Sequence, residues 1–185
     1  DGEEVVVVCA KGEASEYVAG LLNDEGFETT NLGDGMEGWA RVYEHADVEL
    51  DSGTTVRQYH RPSSGCLAYL IFNEGEAAVV DPLRAFTDRY VADAADLGVD
   101  ITTVVETHVH ADHVSGARDL ASTADADLLF PARGVDRGVS YDGDVETVAD
   151  GDTVDVGDTH LEAIAAPGHT SGMTAYLVEG LVLMG

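Results

Sequence analysis

Three histidines and an aspartate stand within the seven residues "THVHADH", Thr107 to His113, in a chain of 185 residues with seven histidines. His108 and His110 lie two apart where the apolar run "ITTVVE" (Ile101 to Glu106) stops. At a strand end that spacing sends both side chains to the same side. Asp112 and His113 follow as the chain turns toward a helix. Zinc, iron and manganese accept neutral imidazole and carboxylate as ligands. His108, His110, Asp112 and His113 are therefore candidate metal ligands on one strand-to-helix loop, where layered α/β proteins often carry their chemistry. The bland alternative is a solvated loop whose histidines only cap and hydrogen-bond. It weakens because four such residues converge at the end of a buried strand. His169 comes 56 residues after His113, in "APGHTSG", following the strand "HLEAIAA". Alone it reads as a structural loop histidine; beside the cluster it reads as a ligand from a second loop.

A second centre is Cys9. "CAKGEAS", Cys9 to Ser15, joins the apolar run "VVVVC" to a helix. A thiol among inward-facing N–H groups at a helix N-terminus is stabilised as thiolate, which lowers its pKa. Lys11, the only lysine, adds positive charge. A core cysteine ending a strand is the alternative, and the residues alone leave both open. Cys66, inside "CLAYLIF", reads as core.

These groups must be held by the elements around them. The continuous run Val5 to Cys9 predicts a strand buried on both faces. Ser15 is placed to cap a helix with Val18, Leu21 and Leu22 on its face and Gly26 at its end. "TTNL" predicts a short strand, and Met36, Trp39, Ala40 and Tyr43 one face of a second helix. Residues 46–54, "ADVELDSGT", carry little pattern and read as a linker. Beyond them, Thr55 to Arg61, Cys66 to Asn73 and Ala77 to Asp81 predict strands. A helix carrying Phe86, Tyr90, Val91, Ala94 and Leu97 ends at Gly98; strand Ile101 to Glu106 and a helix through Ala117 to Ala121 follow. The rest is short strands separated by Gly and Asp turns.

Nine basic against 36 acidic residues give a net charge of −27, with the acids scattered along the chain. A strongly acidic surface on a well-patterned chain matches adaptation to high salt, where screening removes self-repulsion. Nucleic acid is excluded as a partner for want of a basic face. No apolar run reaches the roughly 18 residues of a membrane span. Two cysteines are too few for a disulfide framework, which points to the cytoplasm. Nothing in the composition bars a homo-oligomer.

HxHxDH (His108, His110, Asp112, His113) followed by PGHTxG (Pro167 to Gly172) resembles the pattern of metallo-β-lactamase-fold hydrolases and oxygenases. "YLIFNEGEAAVVDP" and "DGDTVDVG" agree, and the resemblance runs from about Thr55 onward. It implies an αββα sandwich with a metal held at the loop ends. In that family a metal-binding Asp follows in a "GD" step; the chain stops at Gly185, within the apolar run "LVLMG" and where that Asp comes next, and it does not begin with Met, so both ends read as cut. Cys-x-x-Gly-x-x-Ser, then "NLGDGMEGW", resembles the C-terminal half of a rhodanese domain, whose loop cysteine carries a persulfide sulfur. The expected organisation is α/β: a rhodanese-like half over 1–45, a linker over 46–54 and a truncated metallo-β-lactamase-like sandwich over 55–185.

Together the two resemblances imply a persulfide (sulfur) dioxygenase, which oxidises a small-molecule thiol persulfide to sulfite with O₂. That implies one Fe(II) held by His108, His169 and the missing Asp, with His110, Asp112 and His113 orienting ligands or water, and Cys9 passing sulfane sulfur. One alternative is a thioesterase of the hydroxyacylglutathione hydrolase type with two Zn(II), in which His110, Asp112 and His113 are true ligands and Asp112 is also catalytic. Another is a non-catalytic sulfur-binding or sensing protein that uses Cys9.

Overall fold

In the computed structural model, residues 4–110, 113–135 and 146–185 are described. The chain divides into two compact units, residues 1–44 with 61–65, and residues 45–60 with 66–185.

The first unit is a β-α-β turn with a short helix after it. Strand β1 (Val5–Val7) pairs in parallel with β2 (Thr29–Asn31). Helix α1 (Glu13–Asp24) joins them, and α2 (Gly35–Trp39) follows. The doubly buried strand expected over Val5 to Cys9 is corrected: β1 is three residues long, with Val5 and Val6 exposed. A two-stranded sheet with one helix has too little cover for both faces. The helix shows the same, since Val18 and Leu21 are exposed while Ser15 and Ala19 are buried. Ser15 is not the cap; the helix starts after Gly12, and Ser15 lies inside its first turn.

The second unit stacks two sheets. The larger has the order β3-β4-β5-β6-β7-β8-β9. It comprises β3 (Glu44–Glu49), β4 (Thr55–Arg61), β5 (Cys66–Asn73), β6 (Glu76–Val80), β7 (Asp100–Val105), β8 (Asp127–Pro131) and β9 (Glu146–Val148). The smaller runs β10 (Thr153–Val156), β11 (Thr159–Ala165), β12 (Thr174–Val178) and β13 (Leu181–Leu183), all antiparallel. Helices α3 (Thr87–Leu97) and α4 (Ala117–Ala124) pack on the larger sheet, and α5 (Ala132–Val135) follows β8. Among the described residues, helix, sheet and sheet are thus three of the four expected layers.

The core lies between the sheets. Tyr69 and Ile71 of β5, Val80 of β6 and Val105 of β7 meet Val156, Leu161, Tyr176 and Leu183 from the smaller sheet. These strands read clearly in sequence because β5, β6 and β7 are buried on both faces, and such strands are continuous apolar runs.

The linker expected over 46–54 gives way in part to a strand, since β3 takes in its first four residues, 46–49. Every side chain of β3 is exposed, so no apolar alternation marks it. Backbone pairing at the sheet edge makes the strand, aided by Arg57 of β4, whose guanidinium donates to both oxygens of Asp47 at 2.7 and 2.8 Å. The neighbouring Tyr59 donates to Asp93 at 2.8 Å and sits edge-on to Tyr90, which ties β4 to α3.

What positions the site is register. β6 and β7 run parallel, with Val80 opposite Val105. The residues that leave their carboxyl ends, Asp81 from one and Glu106, Thr107 and His108 from the other, therefore emerge side by side. Asp81 breaks out of its strand in the left-handed region (φ 51°), where the chain turns before Pro82.

Candidate metal centre

The loop after β7 is fixed before any histidine is considered. Asp81 Oδ1 accepts the Thr107 N–H at 2.6 Å, and its Oδ2 accepts the Thr107 hydroxyl. Thr174 N–H of β12 donates to the Thr107 carbonyl at 2.8 Å, and Tyr176 OH donates to the Glu106 carbonyl at 3.0 Å. Both sheets thus grip the two residues that precede His108.

This grip sets the state of the first imidazole. The Thr107 hydroxyl has one hydrogen, and Asp81 takes it. Toward His108 Nδ1, 2.8 Å away, the same oxygen acts as acceptor. His108 therefore carries its hydrogen on Nδ1, and Nε2 is the nitrogen it would offer a metal. His108 is buried, 2% exposed. The rings of His110 and His169 lie 4.1 and 5.0 Å from it, centroid to centroid, and His113 lies 4.0 Å from His110. His169 is exposed, on the loop between β11 and β12. The structure thus brings His108, His110, His113 and His169 together; Asp112 lies outside the described residues.

Two carboxylates that the sequence reading did not single out complete the arrangement. Both Asp81 and Glu106 are fully buried. His110 Nε2 is 3.0 Å from Asp81 Oδ1 and 2.9 Å from Glu106 Oε2. Ionised carboxylate oxygens only accept, so Nε2 carries a hydrogen, and Nδ1 is the nitrogen His110 could offer an ion once it has given up its own proton. Burial pushes the Asp81 carboxyl up, but hydrogen bonds and charge from His110, with Thr107, outweigh it and hold Asp81 below the usual range. Glu106 goes the other way: burial and the nearby Asp81 charge raise its proton affinity despite His110. Burial lowers His110, yet its two carboxylate partners bring it out raised. The sequence signal for both acids was their position, since each ends a continuous apolar strand ("EAAVVD", "ITTVVE").

Donor atoms of Asp81, His108 and His110 lie within 4.8 Å of one another, close enough to share an ion. Asp81's oxygens are already engaged by Thr107 and His110, so Asp81 is suited to hold the loop and leave an ion to the imidazoles. Buried imidazoles with fixed lone pairs suit a divalent transition metal. The chain leaves β13 toward the same point: Tyr69 OH donates to the Met184 carbonyl at 2.8 Å, and a Cβ at Gly185 would overlap Asp81 Oδ2.

Cys9 sits half-buried in the first unit. Its Sγ accepts the Gly12 N–H at 3.1 Å and the Ser15 hydroxyl at 3.3 Å. Its pKa is lowered from 9.0 to about 7, chiefly by the Ser15 hydroxyl and then by backbone N–H groups, against some desolvation. Lys11 contributes through its backbone rather than, as expected, its ammonium charge. Gly35 (φ 58°) lets the next loop close over this one, because a Cβ there would overlap the Cys9 carbonyl. The alkylation rate of Cys9 should therefore rise with pH through a midpoint near 7, the thiol dominating below and the thiolate above. Ser15→Ala should move that midpoint toward the ordinary cysteine value, read with iodoacetamide across pH 5–10. A midpoint unmoved by Ser15→Ala would contradict this account. Cys66 is buried in β5, as expected of core.

Among the described residues no helix is long and apolar enough to cross a membrane. The persulfide dioxygenase ETHE1, mitochondrial, of Bos taurus is 31% identical over 126 residues, covering 67% of this chain and 48% of that protein. A hydroxyacylglutathione hydrolase of Acidiphilium cryptum is 36% identical over 110 residues, 60% of this chain and 43% of the hydrolase. The crystal structure of ETHE1 from Myxococcus xanthus superposes with a TM-score of 0.61 at 31% identity, covering 69% of this chain and 55% of that one. The chain spans about half the length of the curated relatives it matches. A family model described as the metallo-beta-lactamase superfamily matches residues 61–185, and the chain belongs to that superfamily.

Proposed function

We propose that the protein is a persulfide dioxygenase. A low-molecular-weight thiol persulfide, O₂ and water give sulfite, the free thiol and two protons. The sulfur–sulfur bond breaks, and the outer sulfur loses four electrons to O₂ and gains three oxygens, two of them from O₂. His108 and His169 are the imidazoles assigned to a single Fe(II), beside one carboxylate. When bound, iron with two histidines and one carboxylate offers open positions for O₂ and the persulfide sulfur. The chain's own part is to hold the lone pairs in place: Asp81, through Thr107, keeps His108 Nε2 unprotonated, and the packed strand ends keep the loop from collapsing when substrate exchanges.

The observation that carries this reading is Cys9. A thioester hydrolase has no use for a thiolate-stabilising loop in a separate unit, whereas a chain that handles sulfane sulfur does. We assign Cys9 to sulfur transfer between a thiol carrier and an oxidised sulfur species such as thiosulfate, in a unit of rhodanese type. Cys9→Ser should abolish thiosulfate sulfurtransferase activity and leave O₂ uptake in place; full sulfurtransferase activity in that variant would refute the role.

The activity itself is tested with an oxygen electrode and glutathione persulfide. One sulfite formed per O₂ consumed is the expected result. Hydrolysis of an S-acylated glutathione without O₂ uptake would instead support the second reading, a dinuclear-zinc thioesterase. The nearness of His113 to His110 favours that reading, since a second ion needs ligands beyond the first pair.

A further inference from the structure

Glu106 has no part in the proposed reaction, yet it is a fully buried acid at the heart of the centre. A carboxylate in such a place is costly unless it is paired and hydrogen-bonded. Here it is both. Oε1 accepts the Ser115 hydroxyl, Oε2 accepts His110 Nε2–H at 2.9 Å, and the backbone carbonyl is held by Tyr176. Ser115 is itself anchored: its hydroxyl oxygen accepts the Ala117 N–H at 3.1 Å at the start of α4. The carboxylate is therefore aimed, with one oxygen tied to a helix start and the other to an imidazole.

Asp81 already accepts from the same nitrogen of His110. One acceptor leaves an imidazole able to pivot about that single bond. Two acceptors, leaving the ends of neighbouring parallel strands and converging on one N–H, fix the plane of the ring and the tautomer together. We infer that Glu106 is a positioning residue for the metal: with Asp81 it clamps His110, whose ring lies 4.1 Å from that of His108, so that the His108 ligand is held against a fixed neighbour, and so sets metal affinity. This rests on the metal-centre reading above. Hydrogen-bond partners of this kind typically tune metal affinity by about 10–100-fold.

The test uses Glu106→Gln, which preserves shape. An amide offers one acceptor instead of two, and Ser115 competes for it, so NH₂ can end up against His110 Nε2–H. The charge beside Asp81 also disappears. The two effects have opposite signs. Dissociation constants for Co(II) and Fe(II), measured by chelator competition on the whole protein, should weaken by about 10–100-fold. The thermal midpoint of the metal-free protein should hold or rise, because two buried acids no longer crowd each other. Ser115→Ala, which frees Glu106 without removing it, should weaken metal binding in the same direction by less. Metal affinity within about twofold of the parent in Glu106→Gln would overturn the assignment. A metal-free midpoint that falls in step with affinity would overturn it too, since that is what a merely structural residue does. A parent protein that binds neither ion would overturn the metal-centre reading itself and this assignment with it.

Discussion

Replacing His108 with alanine is expected to remove the metal and the O₂ uptake together while the fold survives. His108 Nε2 is fixed as the lone-pair donor through Thr107 and Asp81, and the ring is buried against its neighbours. Partners that merely support a ligand cost up to about 100-fold in affinity when lost, so loss of the ligand itself should exceed that. The loop backbone does not depend on the imidazole, because Asp81, Thr174 and Tyr176 hold it through Thr107 and Glu106. Metal content per chain and the metal-free thermal midpoint are the two readouts. The first should fall below detection and the second should stay near that of the parent. Retained metal in His108→Ala would remove the centre of the account.

The largest expected loss of stability lies between the sheets. Leu161 of β11 is fully buried and stands opposite Val154 of β10 within the inter-sheet core. Leu161→Ala there should cost about 2–5 kcal/mol, the lost transfer free energy plus a cavity that packed strands on both sides cannot close. For a domain of this size about 2–4 °C of midpoint follows each kcal/mol, so a fall of roughly 5–15 °C is expected in calorimetry. Metal affinity well below that midpoint should be unaffected, because the substitution leaves the strand ends in register. A change of less than about 1 kcal/mol would mean that the smaller sheet does not pack as described.

How much of this was legible in sequence depends on what each strand faces. β5, β6 and β7 announce themselves because both of their faces are covered, which writes an unbroken apolar run. β3 is invisible for the opposite reason: a wholly exposed edge strand carries no pattern, and its order comes from backbone pairing to β4. β1 misleads, since four successive valines read as a doubly buried strand while the two-stranded sheet leaves Val5 and Val6 in solvent. The histidines stood out by type and spacing, and the structure gathers His108, His110, His113 and His169 at one point. Asp81 and Glu106 did not stand out, because single acids are no signal in a chain with 36 of them. Only the parallel register of β6 and β7 turns two strand-ending acids into a pair gripping one imidazole. Ser15 shows a similar gap. A helix-start serine reads as a cap, but Gly12 takes that position, and the hydroxyl lies instead among Asn31 Oδ1, the Gly12 carbonyl and Cys9 Sγ.

The central claim is that this His-rich centre holds one iron and works on sulfane sulfur. Metal content, measured by mass spectrometry on protein purified without air in molar salt, tests it most directly; the salt is there to screen a net charge of −27. About one iron per chain is the predicted result. About two zinc ions per chain would contradict the claim and make the centre that of a thioester hydrolase.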